Sequence, residues 1–167
     1  HKTEADSFRS AGLIVVSNYQ YSKGGNTTSD WTVPADGPSD ARRGIELHRA
    51  AGGPDDAPIY VSIDASPTRT MYVEKVRPYL QGWISVIGAD RLGVYCNGRV
   101  TQWLIEDGIG KYFWGHNWSD NWRYPEDGSL VHPAWHIHQF EIDKKVPGIP
   151  FGIDKNRILK NEFGQWK

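Results

Sequence analysis

Three apolar, β-branched runs set the frame of this chain: LIVVSNYQY (13–21), APIYVSIDA (57–65) and RLGVYCNG (91–98). The first is too uniformly apolar for a strand with one wet face, so it reads as buried on both sides, the second reads as a buried strand, and the third as a strand. Helix-patterned segments stand between them. KTEADSFRSAG (2–12) stops at Gly12, and SDARRGIELHRAAGG (39–53) starts at Ser39 or Asp40 and stops at Gly52–Gly53. SPTRTMYVEKVRPYLQGWISVIGAD (66–90) is capped near Ser66 or Thr68. Pro78 inside it predicts a kink or a break, because proline removes a backbone donor and crowds the preceding turn. RVTQWLIEDG (99–108) is a further helix. KYFWGHNW (111–118) and AWHIHQF (134–140) are further strands, and GIPFGIDKN (148–156) is a last short one. Between the first strand and its helix runs a Gly-, Ser-, Thr-, Asp- and Pro-rich loop over 22–40, long enough to be functional. Strands alternating with helices predict parallel βαβ units. The fold class is α/β: about six parallel strands suit an incomplete (β/α) TIM-type barrel, and a doubly wound sheet fits the same pattern.

At 167 residues, with no repeat, linker or low-complexity tract, residues 1–167 read as a single domain. A net charge of -1 argues against a broad electrostatic grip on nucleic acid or an anionic membrane. No apolar run approaches the ~20 residues of a membrane helix. No glycine-rich phosphate loop follows any strand, which weakens a nucleotide-binding reading. The single cysteine, Cys96, excludes a disulfide-stapled scaffold but not export, and its apolar strand context suits a buried, inert thiol. His1 opens a polar segment, so any leader is absent or already removed.

In a parallel barrel the chemistry lies at the C-terminal ends of the strands. That rule names Asn18 and Gln20, Asp64 and Ser66, Tyr95 and Asn97, Trp114, His116 and Trp118, His138 and Gln139, and Asp154. A carboxylate after an apolar run is costly to bury unless partnered, so Asp64 (VSID) and Asp154 (FGID) stand out. The bland alternative is that each caps the segment after it. Glycoside hydrolysis usually needs two carboxyl groups flanking the scissile bond. On the strand of Asp64 the same-face neighbours are Ser62 and Ser66, so Asp154 would have to supply the second group. Of the eight Trp and eight Tyr, several cluster in KYFWGHNWSDNWRYPEDG (111–128), where aromatic faces fit either a core or a sugar ring. His136 and His138 share a strand face and could suggest zinc or iron, but without a matched carboxylate motif the better reading is no metal and no cofactor. No G-x-S-x-G elbow supports a serine nucleophile.

Taken in order, TEADSFRSAGLIVVSNYQ, DARRGIELHRAAGGPDDA, PIYVSIDASPT, GADRLGVYCNGRVTQWLIEDG, KYFWGHNW, IHQFEI and GIDKNRILKNEFGQW resemble the glycoside-hydrolase-like barrels of the domain family DUF1906, related to the family 25 muramidases. The resemblance covers nearly the whole chain; no single motif is specific, but the ordered set is. It implies a (β/α) barrel, a substrate in cell-wall peptidoglycan or another polysaccharide, and a setting in a secreted bacterial protein or a phage lysin or tail protein. It implies Asp64 as acid or stabiliser, Asp154 as the last-strand carboxylate, and Tyr95, Trp114 and Gln139 along the groove. Two departures stand out. The segment matching the first two strands of the family barrels is absent, so the expectation is either a fragment of a longer chain or a barrel whose open edge other domains or subunits cover. The family 25 Asp-x-Glu is replaced by SIDAS, so either Ser62 or Ser66 takes the place of one carboxylate.

The expectation is therefore a glycosidase-like domain acting on a glycan partner outside the cell or in a phage particle. Asp64 and Asp154 would be catalytic, with Asn18, Gln20, Tyr95, Asn97, Trp114, His116, Trp118, His138 and Gln139 binding substrate. The competing expectation is a non-catalytic carbohydrate-binding or structural domain on the same fold, favoured by the missing carboxylate.

Overall fold

The computed structural model describes residues 1–20 and 31–167. Residues 21–30, which hold the end of the first predicted strand and part of the loop after it, lie outside the described residues. Helix α1 (Lys2–Ser10) leads into strand β1 (Val15–Tyr19), then helix α2 (Gly37–Ala50) and β2 (Ile59–Ser62). Next come a short helix α3 (Arg69–Met71), a π-helical turn (Tyr72–Val76) and α4 (Arg77–Ile87), then β3 (Leu92–Asn97), α5 (Gly98–Glu106), β4 (Tyr112–His116), β5 (Ile137–Lys144), β6 (Ile153–Ile158) and β7 (Gln165–Trp166). The sheet order is β6-β5-β4-β3-β2-β1-β7. Strands β1 to β5 are mutually parallel; β6 and β7 run antiparallel along the two edges.

The second and third apolar runs form strands with two different buried faces, whereas β1, expected to be buried on both sides, is only partly covered near the sheet edge, with Tyr19 its one buried residue. Ile59, Val61 and Ile63 alternate onto one face with Leu92, Val94 and Cys96, where they join Tyr72, Leu80, Trp83, Val100 and Leu104 from the helices in the main core. Tyr60 points the other way and packs with Ile137 and Phe163, next to Trp114. Gly93 opposes Tyr60 in the ladder, and a Cβ there would stand 2.7 Å from the tyrosine ring, so the glycine makes room for an aromatic floor. The helices therefore cover the outer face of the sheet and leave its inner face lined by aromatics at one end. This curled, incomplete barrel is the expected architecture, with its sixth strand reversed in direction.

Local signals account for most element ends. Thr68 caps α3, accepting from the Met71 N–H at 3.2 Å, and Asn97 caps α5, accepting from Val100 N–H at 2.9 Å. The break expected at Pro78 appears as the π-helical turn just before α4, which widens the helix where the proline enters its first turn. Helix α2 starts at Gly37 rather than at Ser39 or Asp40, because Pro38 suits a first helical turn. Asp40 is instead buried, accepting from the hydroxyls of Tyr19 (3.2 Å) and Tyr79 (2.7 Å). Cys96 is fully buried beside Thr101, and burial pushes its thiol up to about 12, as suits an inert residue.

Candidate active site

Asp64 and Asp154 line one cavity of about 190 Å³, together with Asn18, Gln20, Tyr95, Trp114, Gln139 and Asn156. Strands β2 and β6 are separated by four inter-strand steps, about 19 Å along the sheet at about 4.8 Å per step. Two residues that far apart on a flat sheet could not share so small a space, so the curl of the sheet is what assembles the site.

Each carboxylate is held by a side-chain amide. Gln20 Nε2 donates to Asp64 Oδ2 at 2.9 Å, and Gln139 Nε2 donates to Asp154 Oδ2 at 2.9 Å. The backbone N–H of Asp143 reaches Asp154 Oδ1 at 3.0 Å. Gln139 is itself fixed, because its Oε1 accepts the Tyr95 hydroxyl at 2.6 Å; the same hydroxyl accepts from Trp118 Nε1 at 3.3 Å. A directed chain thus runs from Trp118 through Tyr95 and Gln139 to Asp154. Burial, reinforced by the charges of Asp64 and Asp154, pushes the Tyr95 phenol well above its ordinary range, so it remains a donor. On the wall, Trp114 Nε1 donates to Asn156 Oδ1 at 2.8 Å.

The remaining candidates lie around this cavity or away from it. His116 is buried, its ring stacked with those of Tyr95 (ring centroids 4.7 Å) and Trp118 (5.0 Å), and Trp118 is 46% exposed. Asn97 spends its carboxamide on the α5 cap and on the Ala65 carbonyl and Ser119 hydroxyl. His138 sits outside the cavity: its ring stacks on Trp135 and lies 2.6 Å from Asn117 Oδ1. His136 accepts the Phe113 N–H. Among the described residues, no three His, Cys, Asp or Glu side chains are grouped to hold a metal ion.

Neither aspartate serves as a helix cap: Thr68 caps α3, and Asp154 lies within a strand. Ser62 Oγ donates to Asn18 Oδ1 at 3.1 Å, so it shares the inner face with Asp64, whereas Ser66 is exposed. Asn156 was not among the sequence candidates, although it lies two residues after Asp154 and therefore on the same strand face. A larger cavity, about 340 Å³, lies between α1, α2 and β1. It contains Ser17 Oγ 2.7 Å from His48 Nδ1, with His48 Nε2 anchored on the Pro54 carbonyl, but no pair of carboxylates.

An incomplete barrel with paired carboxylates and aromatic walls at the C-terminal ends of its parallel strands defines a glycoside-hydrolase-like domain. The chain belongs to the Rv2525c-like, glycoside hydrolase-like domain family, whose model matches residues 1–158. It is 51% identical over 166 residues to Rv2525c of Mycobacterium tuberculosis, named as a candidate peptidoglycan hydrolase; the match takes in 98% of this chain and 65% of that protein, under two thirds of its length. The crystal structure of the Tat-secreted protein Rv2525c in complex with L-tartrate superposes with a TM-score of 0.87 at 48% identity, covering all of this chain and 78% of that one. A glycosyl hydrolase 25 of Streptococcus pneumoniae, GHIP, aligns with a TM-score of 0.59 at 17% identity, over 96% of this chain and 66% of that one. The Clostridium perfringens spore cortex lytic enzyme SleM aligns at 0.57 and 16%, over 93% and 52%. The last two likenesses are of fold alone, and they agree with the relation to family 25 barrels expected from the ordered segments.

Proposed function

We propose that this chain is the glycan-recognising and hydrolytic domain of an exported bacterial protein, and that its substrate is cell-wall peptidoglycan. The observation that carries this reading is the convergence of Asp64 and Asp154 on one aromatic-walled cavity. In this reading Asp64 protonates the oxygen of the scissile glycosidic bond, and Asp154 stabilises the positive charge that develops on the sugar or orients the attacking water. The indole of Trp118 and the rings of Tyr95 and Trp114 hold the sugar faces, and the amides of Asn18, Gln20 and Asn156 select its hydroxyl and acetamido groups. A peptidoglycan substrate is supported by the name of the 51% identical relative, and export by the Tat-secreted status of that relative. Other domains or subunits would cover the part of the β1 edge that β7, paired only with Val15 and Val16, leaves over.

A second reading has its own observation. Ser62 stands on the inner face two residues before Asp64, where family 25 enzymes carry a carboxylate, and this favours binding without cleavage. The experiment that separates the two is the loss of turbidity and release of reducing ends from purified peptidoglycan by wild type and Asp64→Asn. Activity lost in the variant supports the hydrolase. Inactive proteins that both still sediment with peptidoglycan support the binding domain. Proteins that do neither overturn both readings.

A further inference from the structure

The β5–β6 hairpin departs from regular pairing at two places, between Gln139 and Glu141 and between Glu141 and Lys144, and the second faces Asp154. Ile137 pairs with Ile158, His138 with Arg157 and Gln139 with Asn156. Carried two residues further, that register would set Glu141 directly opposite Asp154, a like-charge pair on neighbouring strands, which is destabilising. The register shifts instead: Glu141 pairs with Lys155, and Lys144 pairs with Ile153. Ile142 and Asp143 therefore oppose Asp154 alone, two residues against one, which is the pattern of a β-bulge. The two shifts have one electrostatic consequence each. Glu141 Oε2 now meets Lys155 Nζ at 2.9 Å, and the position across from Asp154 is taken by the Asp143 backbone, whose N–H donates to Oδ1 at 3.0 Å.

The backbone is shaped for this contact. Asp143, with φ of +51°, is the one non-glycine residue of positive φ among the described residues. That region is open to Asp at modest strain and closed in practice to β-branched side chains. Gly152 packs against it: a Cβ at 152 would stand 2.8 Å from Asp143 Cα, a backbone atom that cannot swing aside. On the opposite side of the carboxylate, Gln139 holds Oδ2.

We propose that the Ile142–Asp143 bulge is a positioning device for Asp154: the slip at Phe140 carries the Glu141 carboxylate away, and the bulge puts a backbone donor in its place and holds the Asp154 carboxylate towards the cavity. The proposal rests on the reading of the cavity as a glycan site. Asp143 acts through its backbone, so its side chain is dispensable and its conformation is not. Bulges beside active sites commonly re-aim a side chain in this way.

The test compares Asp143→Gly, Asp143→Val and Gly152→Ala with wild type. Asp143→Gly keeps both the N–H and the positive φ, and is expected to cleave peptidoglycan at the wild-type rate. Asp143→Val and Gly152→Ala are expected to lower the thermal midpoint through the strain they introduce and, in protein that stays folded, to lose about tenfold in kcat with KM little changed, because a small misplacement of a reacting group suffices for that loss. Wild-type rates in Asp143→Val, or an equal loss in Asp143→Gly, overturn the proposal. An amide spectrum gives a readout free of activity. The residue 143 amide proton is expected to move upfield in Asp154→Asn, as a bond to a carboxylate weakens to one with an amide oxygen. An unmoved resonance overturns the device. A resonance that moves, in a protein that neither cleaves nor sediments with peptidoglycan, supports the device and overturns the glycan reading alone.

Discussion

Asp64 and Asp154 meet in one cavity from strands of opposite direction. Asp64 lies just past the C-terminal end of β2, which runs towards the cavity, and Asp154 is the second residue of β6, which runs away from it. The antiparallel return places the beginning of β6 beside the ends of β1 to β5. The two carboxylates also differ in setting: Asp64 Oδ1 is a buried atom, whereas Asp154 stands at the exposed rim. Under the proposed function, an acid that enters the glycosidic bond from the floor and a charge that meets the sugar from the rim are distinct roles, and they lead to different expected phenotypes.

Asp64→Asn is expected to abolish release of reducing ends while peptidoglycan binding falls no more than a few fold, because the amide keeps the shape and loses the proton. Ser62→Asp tests the missing carboxylate position on the same face. The amide of Asn18 can turn to donate to the new group, so the variant should fold, and its hydrolytic rate should rise by roughly tenfold or more if that carboxylate limits the reaction. An unchanged rate in Ser62→Asp, beside an active wild type, would show that Asp154 already fills the role.

Tyr95→Phe removes the hydroxyl that joins Trp118 to Gln139. Gln139 Oε1 is then left without that donor in a buried position, which costs about 1–2 kcal/mol of stability in urea unfolding. The loss should reach the site as well, since a Gln139 amide free to flip can present oxygen instead of N–H to Asp154. Weaker peptidoglycan binding is the expected companion result. Undiminished stability would mean that the chain of hydrogen bonds does not hold in solution.

The parts of the structure written in local pattern were legible before the structure was known. Ile59, Val61 and Ile63 must be apolar to meet the helices, and Leu92, Val94 and Cys96 likewise, so β2 and β3 announce themselves. The rule that chemistry sits at strand ends brought Asn18, Gln20, Asp64, Tyr95, Trp114, Gln139 and Asp154 to one cavity. It also named His138, which a period of two turns to the face opposite Gln139, and Asn97, whose carboxamide is taken up by a helix end. The direction of β6 was not legible, because the alternation in IDKNRI is the same for a parallel and an antiparallel neighbour. Nor was the bulge, since register against another strand is a non-local property. Asn156 is the cavity residue that alternation could have named, two positions beyond Asp154.

Trp118 offers a test of the aromatic rim with little effect on folding. The residue is 46% exposed and its indole stacks on the buried His116 ring. Trp118→Ala is expected to weaken binding to soluble peptidoglycan fragments by about 1 kcal/mol, roughly fivefold, with the thermal midpoint little changed. Trp118→Phe, which keeps a ring and removes the N–H donated to Tyr95, separates stacking from the hydrogen bond. Full recovery in Trp118→Phe assigns the contribution to the ring face.

Acid should weaken this protein through two imidazoles that the fold needs neutral. His132 Nδ1 accepts the Ala134 N–H at 3.1 Å and His136 Nδ1 accepts the Phe113 N–H at 3.1 Å, so a proton on either nitrogen would face a donor. Burial foremost, and the Lys160 ammonium next, push both histidines down to about 4 from an ordinary 6.5. Between those values the unfolded chain binds protons that the folded chain refuses. The stabilising effect of neutral imidazoles is thus complete above pH 6.5 and is lost as pH falls from 6.5 towards 4, by on the order of 3 kcal/mol for each imidazole. Urea midpoints of wild type should therefore fall steadily from pH 6.5 to 4.5. The double variant His132→Asn, His136→Asn retains an acceptor at each site but cannot titrate, so its midpoints start lower and change less over the same range. Parallel curves for the two proteins would place the acid sensitivity elsewhere, in the carboxylates rather than in the β4–β5 connection that these rings hold.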